Sequence, residues 1–365
     1  MNSEHSDDLD TDIIDDISLI SCEVEITYEC NLSCPFCFIK SQSANHIASM
    51  NPRAMRKAVT FLKSIGVMLT SISGGEPTLN PNMIDMVRDL RKADIEVVVA
   101  TNGLTLTKTL LEQLYALKIL NLQVALEAPT AKVHDAIRGE GTYNRVLHAL
   151  ELAADSGITT AVVTTITRAN ADSLQAFPHF LKSIGVKNHV ILRCTTYDPM
   201  DSHVLELERF VQVLGNLFKE AEKNSIQIGS SSPIIKWLSH VYESKGLESN
   251  ENYDFSCPAV KRSITITPSL SIKPCSPSNV DLGSIAGMKS FNDFAEKISR
   301  NPIARSFIRP KPQKCQNCLH YGFCRSGCRI AAYKAHGTYE APDAYCLQDF
   351  SNLAQAFNAT CSSKQ

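Results

Sequence analysis

Three cysteines stand within eight residues in the run Cys30-Asn-Leu-Ser-Cys34-Pro-Phe-Cys37. Thiolates at that spacing can wrap one metal centre from a single loop. A [4Fe–4S] cube has four irons, so three thiolates leave one iron open to another ligand. A structural zinc site uses four donors, and the nearest further candidate after Cys37 is His46. A second group lies far downstream: Cys257 and Cys275, then Cys315-x2-Cys318-x5-Cys324-x3-Cys328-x17-Cys346. Cys315-x2-Cys318 alone is also a zinc-knuckle spacing, so a non-catalytic protein stapled by zinc ribbons is the alternative. The cysteine count, 13, is odd. Residues 1–16 are acidic and polar, unlike an export signal, so metal ligation in a reducing compartment is expected over disulfides.

The rest of the composition is that of an ordinary globular protein. The chain has 365 residues, 44% hydrophobic and 20% charged, enough for one large or two modest domains. Lys+Arg 36 against Asp+Glu 38 gives a formal net charge of −2. No whole-chain basic field draws it to nucleic acid or to an anionic membrane. No apolar run reaches the roughly 18–20 residues that span a bilayer. A cytoplasmic protein without nucleic-acid or membrane partners is expected.

The thiols must be carried by a scaffold, and its elements are legible. Residues 1–17 hold seven acidic side chains and are expected to form a disordered tail. From Cys22 strands and helices alternate. Strands are expected at Cys22–Tyr28, Val67–Ile72, Glu96–Ala100, Leu122–Leu126, Thr160–Thr165 and His189–Arg193. Helices are expected after Asn51-Pro52, over Asn82–Lys92, Thr107–Lys118 and Tyr143–Ser156, and over Ala171–Ile184. That alternation implies an α/β fold with a parallel sheet and right-handed crossovers, its chemistry at the carboxyl ends of the strands. The expected divisions are a strand–helix domain at 18–204, a helical linker at 205–254, an irregular metal-stapled domain at 255–350 and a tail at 351–365.

Cys30-x3-Cys34-x2-Cys37, with an aromatic at Phe36, resembles the signature of the radical S-adenosylmethionine (SAM) superfamily. The resemblance covers residues from about 22 to 350. It implies a partial (β/α)6 barrel whose three-thiolate [4Fe–4S] cluster binds SAM. Ser73-Gly74-Gly75-Glu76-Pro77 is similar to the family's GGE motif, which implies that Gly74, Gly75 and Glu76 contact the SAM amino group. Thr101-Asn102-Gly103 is similar to its TNG turn. Val124-Ala125-Leu126-Glu127 sits where a VSLD-like strand reaches the ribose, with Ala125 for Ser and Glu127 for Asp. His134-Asp135 to Arg138-Gly139 resembles a further family loop, Arg138 being equally readable as a surface ion pair. Glu127, Asn170 and Arg193 are implied as further SAM contacts beside Phe36.

The downstream thiols resemble the SPASM domain, a C-terminal extension that carries two auxiliary iron–sulfur clusters. The resemblance assigns Cys315, Cys318, Cys324 and Cys346 to one cluster and Cys257, Cys275 and Cys328 to the other. Two departures stand out. Leu270 replaces a Gly five residues before Cys275, implying a different local turn, and residues 258–274 hold no extra cysteine, leaving three thiolates for that cluster. Arg309, Lys311, Lys314, Arg325 and Arg329 are expected on a solvated face, Cys22 and Cys194 in the core, and Cys361 in the tail.

The implied activity is reductive cleavage of SAM to a 5′-deoxyadenosyl radical that abstracts a substrate hydrogen, with flavodoxin or ferredoxin as the electron donor. A peptide side chain to be oxidised or crosslinked is the first expectation. A small molecule such as a sugar or tetrapyrrole is the alternative. Only 29 residues precede Cys30, so no peptide-recognition domain is expected ahead of the barrel. Sulfatase-maturing relatives carry an Asp base after the second SPASM cysteine; here Ser276 follows, which disfavours that activity. The only acid or base candidates are Tyr197, Asp198, Asp201 and His203, after the sixth strand, and the catalytic group is left unassigned.

Overall fold

The computed structural model describes residues 13–39, 49–195, 203–244, 254–318 and 320–346. Six strands follow one another as expected: β1 (Ser21–Thr27), β2 (Leu69–Gly74), β3 (Glu96–Thr101), β4 (Asn121–Ala125), β5 (Thr160–Ile166) and β6 (Asn188–Arg193). They pair parallel in chain order, the strand run of a partial (β/α)6 barrel. Cys22, Val24 and Ile26 on β1, with Val97 and Val99 on β3, enter the main apolar core. Their neighbours Glu23 and Glu25 point to the opposite face, because successive strand residues alternate.

Helix α1 (Pro52–Ser64) shows how the crossovers are delimited. Asn51 caps it by accepting from Ala54 N–H at 2.9 Å, Pro52 opens it, and Met55, Ala58, Phe61 and Leu62 bury one stripe. Gly66, at φ +78°, ends the turn after it. Helices α2 (Met83–Lys92), α3 (Lys108–Ala116), α4 (Ala131–Arg138) and α5 (Thr142–Asp155) follow. The expected helix over Ala171–Ile184 is divided into a 3₁₀ turn, Ala171–Ala176, and α6 (Phe177–Ser183). Pro178 has no N–H to continue a ladder and fits only the first turn of a new helix.

Two stretches depart from the sequence reading. Residues 205–254 hold α7 (Leu207–Asn224), strand β7 (Gln227–Gly229) and α8 (Pro233–Ser244). β7 pairs parallel with β6, and α7 buries Phe210, Leu214, Leu217 and Ala221, so this segment extends the sheet and its helical cover. Within the expected acidic tail, Ile13 and Ile17 are buried and Ser18 N–H donates to the Lys261 carbonyl. Apolar burial outweighs the local charge there. Residues 1–12 and 351–365, with Cys361, lie outside the described residues.

The cysteine-rich region is built onto the same sheet. β8 (Ser263–Ile266) pairs parallel with β1, and β9 (Ile272–Lys273) returns antiparallel to β8. Among the described residues the strand order is β7-β6-β5-β4-β3-β2-β1-β8-β9. Leu270 closes the β8–β9 turn at φ +66°. The turn expected to differ is therefore kept in the left-handed form that glycine prefers, with a leucine held in it by Leu270 N–H to Thr267 O at 2.9 Å and Ile285 N–H to Leu270 O at 3.0 Å. The remaining helices are α9 (Phe291–Ser299), α10 (Pro302–Ile308), α11 (Tyr321–Cys324) and α12 (Arg329–His336).

A buried charge network joins β1 to this region. Glu25, 0% exposed, accepts from Lys273 Nζ at 2.8 Å, from Ser276 Oγ at 2.5 Å and from Tyr28 Oη at 3.1 Å. Glu23 accepts from Ser73 Oγ at 2.5 Å, and burial together with the Glu25 charge pushes its carboxyl above the usual range. Removing one partner of a buried ion pair strands the other charge. Lys273→Met is therefore expected to destabilise the protein by about 3–5 kcal/mol in urea unfolding, and a Glu25→Gln change added to it recovers most of the loss. A loss of no more than ~0.5 kcal/mol, as for a surface lysine, would contradict that.

Two buried histidines give the fold a pH response. Thr164 Oγ donates to the Leu126 carbonyl, so it takes the His189 Nε2 proton at 2.8 Å, while burial lowers His189 to about 3. His134 Nδ1 accepts from Glu127 N–H at 3.1 Å, and burial, reinforced by Arg138, lowers it to about 4. Both pKa values lie below the unfolded value of ~6.5, so the unfolded chain takes up protons first on acidification. Their contribution is complete above about pH 6.5 and is lost as pH falls toward 4 and then 3, at up to ~1.4 kcal/mol per pH unit for each. Urea midpoints measured from pH 7 to pH 5 are expected to fall more steeply for the natural protein than for His189→Gln.

Candidate functional site

The first thiol loop leaves the carboxyl end of β1 and is held by the motif that ends β2. Gly75 N–H donates to the Thr27 carbonyl and Glu76 N–H to the Glu29 carbonyl, both at 2.7 Å. A Cβ on Gly74 would stand 2.1 Å from Thr27 O, and one on Gly75 2.2 Å from Glu29 O. The two glycines are demanded by the chain's own backbone, which passes too close for any side chain. Cys30 is exposed, Cys34 buried and Cys37 intermediate. Burial pushes the Cys30 and Cys34 thiols up, and the neighbouring thiols of the loop add to it. His46 lies outside the described residues.

Glu76 is fully buried, with its carboxylate turned to the β3 end. It accepts from Thr78 N–H at 3.1 Å and Thr78 Oγ at 2.6 Å, from Thr101 Oγ at 2.7 Å and from Asn102 N–H at 2.7 Å. Asn102 then donates from Nδ2 to Asn31 Oδ1 at 2.7 Å, inside the thiol loop. The GGE and TNG motifs thus form one hydrogen-bonded frame around the loop. Four donors occupy the Glu76 carboxylate, so within this arrangement it positions the frame.

Glu127 sits at the end of β4, also fully buried. Arg138 donates to Oε1 from Nε at 2.9 Å and from Nη2 at 2.5 Å, and Thr165 N–H donates to Oε2 at 2.9 Å. Arg138 is no surface ion pair. Its guanidinium carbon lies 6.0 Å from the Phe36 ring centre, and its charge opposes the upward shift of Cys34. A positive charge beside these thiols favours their anionic, metal-binding form. Asn170, buried, donates from Nδ2 to the Glu127 and Thr165 carbonyls, each at 2.9 Å, and accepts from Thr167 N–H at 2.8 Å. It ties the ends of β4 and β5 together.

Arg193, expected as a SAM contact, is held at the end of β6 by partners from the cysteine-rich region. Its Nη1 lies 2.7 Å from Asp343 Oδ1 and its guanidinium carbon 3.7 Å from the Tyr345 ring centre. The guanidinium that ends β6 is engaged by the cysteine-rich region. Arg329 departs from the sequence reading. Expected on a solvated face, it is 0% exposed and donates to the carbonyls of Ser326, Gly327, Tyr339 and Ala341. Arg309 pairs with Asp16.

The downstream thiols divide into two neighbourhoods. Cys315, Cys318, Cys324 and Cys346 line one pocket with Tyr321, Pro342 and Asp343. Burial, then Asp343, Cys346 and Cys315, push Cys324 up to about 12. In the other neighbourhood burial, with Cys257 and Cys328, pushes Cys275 well up, and burial followed by Cys257 lifts Cys328 to about 11. Among the described residues no three His, Cys, Asp or Glu side chains converge closely enough for a single ion. All-sulfur sets of three and four fit iron–sulfur ligation, which takes thiolates and displaces their protons.

Among the acid–base candidates, Tyr197, Asp198 and Asp201 lie outside the described residues, and the His203 carbonyl accepts from Arg168 N–H at 3.0 Å. Cys22 and Cys194 are core residues. The network of Glu23, Glu25, Lys273 and Ser276 was missed from sequence. Its signal was available: two acids at a spacing of two in a parallel strand that should be apolar on both faces.

Residues 24–182 match the family model described as "Radical SAM superfamily". Over 342 residues the chain is 26% identical to mycofactocin maturase MftC of Mycobacterium tuberculosis, covering 91% of this chain and 84% of that one. It is 24% identical over 335 residues to the AdoMet-dependent heme synthase of Methanosarcina barkeri, covering 88% and 95%. Its fold matches the solved structure of anSMEcpe with bound AdoMet and Cp18Cys peptide at TM-score 0.72, with 18% identity, over 95% of this chain and all of that one. No described helix is long and apolar enough to cross a membrane. The three-thiol loop, the GGE frame that holds it and these likenesses agree: residues 24–182 form a domain of the radical SAM superfamily, whose members bind a [4Fe–4S] cluster and S-adenosylmethionine.

Proposed function

We propose that this enzyme modifies a peptide side chain, by oxidation or crosslinking, using a SAM-binding [4Fe–4S] cluster on Cys30, Cys34 and Cys37 and two auxiliary clusters. One auxiliary set is Cys315, Cys318, Cys324 and Cys346; the other is Cys257, Cys275 and Cys328. The observation that carries the reading is the division of the downstream thiols into those two neighbourhoods beside a barrel whose first thiol loop is framed by GGE and TNG. The maturase relative and the peptide held by the fold-alike support a peptide substrate. The heme synthase relative favours a second reading, a tetrapyrrole substrate.

When bound, the cluster and SAM supply a carbon radical able to take hydrogen from an unactivated C–H bond. The chain's own work is positional. Backbone hydrogen bonds from Gly75 and Glu76 fix the strand end that carries Cys30. Arg138, anchored on Glu127, keeps positive charge at Cys34. Phe36 lies beside that guanidinium. Glu23, raised by burial and by Glu25, is held protonated more readily than an ordinary carboxyl and offers a proton-holding group on the sheet face away from the helices.

Anaerobic reconstitution tests the assignment. About twelve irons per chain are expected, four for each of three clusters, with 5′-deoxyadenosine released on adding SAM and dithionite. Replacing Cys34 by Ala is expected to abolish that product while about eight irons remain. Zinc in place of iron, with SAM left intact, would overturn the reading. Mass spectrometry of a short peptide encoded beside this gene then separates the substrates. Loss of hydrogen or an internal crosslink supports the first reading, and an unchanged peptide with a consumed tetrapyrrole supports the second.

A further inference from the structure

Cys324 and Cys328 fall in different thiol sets although only Arg325, Ser326 and Gly327 separate them. The chain must therefore turn sharply from one set to the other. All three intervening residues adopt positive φ, at 46°, 67° and 71°. Side chains disfavour that conformation, so Arg325 and Ser326 hold it only because the surroundings over-determine it. Arg329 donates to the Ser326 and Gly327 carbonyls. Asp343 does more. Its N–H donates to Ser326 O at 3.0 Å, its Oδ2 accepts from Cys328 N–H at 2.7 Å, and a Cβ at Gly327 would stand 2.7 Å from its side chain.

What holds Asp343 comes from the barrel. Arg193, the last residue of β6, reaches Asp343 Oδ1 at 2.7 Å, and both side chains are at most 5% exposed. The same oxygen accepts from Tyr345 N–H at 2.9 Å, one residue before Cys346. Tyr345 carries the Arg193 guanidinium on its ring face and donates from its hydroxyl to the Leu205 carbonyl. Arg193 Nε is buried without a hydrogen-bond partner, so part of the guanidinium is uncommitted, and Cys328 is among the groups whose charge acts on it. One arginine of the barrel thus fixes the residue that caps Cys328 and braces the turn between the two thiol sets.

We propose that the Arg193–Asp343 pair is the positioning device by which the barrel fixes Cys328, and that it sets the reduction potential of the auxiliary cluster Cys328 serves. The inference rests on the assignment of Cys257, Cys275 and Cys328 to that cluster. A cation near an iron–sulfur cluster favours its reduced form and an anion its oxidised form; hydrogen bonds and charges around the ligands are the levers available to the protein.

The test is an EPR-monitored redox titration of the reconstituted holoenzyme. Cys328→Ala first identifies the auxiliary signal, which is lost or altered while the barrel cluster remains. In Arg193→Met the potential of that auxiliary signal is expected to fall. In Asp343→Asn, which keeps an oxygen for Cys328 N–H, it is expected to rise. The barrel cluster keeps its potential in both, and Arg193→Lys, which retains the charge, lies between the natural protein and Arg193→Met. Selective loss of the auxiliary irons in Arg193→Met, with the barrel cluster intact, also supports positioning, and Arg193→Lys then supplies the potential. Unchanged potentials, shifts of one sign in both variants, or equal disturbance of the barrel cluster overturn the proposal. If Cys328→Ala changes no iron signal, the ligand assignment fails instead.

Discussion

Strand β1 is hydrogen-bonded on both edges, to β2 and to β8, and both the first thiol loop and the segment around Cys275 are placed relative to it. Its carboxyl end launches the first thiol loop. Its face away from the helices carries Glu25, which is bound by Lys273 and Ser276 on either side of Cys275. Because Glu25 and Thr27 of this internal strand are fully buried, their polar groups have no water to fall back on and must be met by protein. That constraint accounts for the close passage of Gly74 and Gly75, for the Glu25–Lys273 pair and for the attachment of an irregular region to a regular sheet.

Around this strand the polar side chains at the strand ends serve mostly to hold one another. Glu76, Glu127, Asn170 and Arg193 each carry partners drawn from a different segment of the chain. A rigid rim follows, in which backbone groups and thiols are presented at fixed positions. Rigid support of this kind suits a reactive site whose cofactors carry the hard chemistry. His134 belongs to the same rim through the Glu127 N–H.

How much of this was legible in the sequence depends on how local each feature is. The six strands and the thiol motifs are local patterns, and they stand where alternation and spacing put them. The division of the downstream cysteines was legible only through a family resemblance, since 4 and 3 thiols can be interlaced in many ways. Partner choice was not legible. Lys273 lies 248 residues from Glu25, and Asp343 lies 150 from Arg193. β7 escaped because Gln227–Gly229 is short, with exposed ends that carry no alternation to read. Pro178 is the opposite case, a local signal of a helix break that the longer apolar pattern around it obscured.

The left-handed run Arg325-Ser326-Gly327 has a consequence for how such a region acquires its inorganic contents. With Cys324 assigned to one cluster and Cys328 to the other, ordering either thiol also orders the three residues between them, and with them the other thiol. On the proposed assignment, the occupant of one site is therefore felt at the other through three residues of backbone that Arg329 and Asp343 already hold in place.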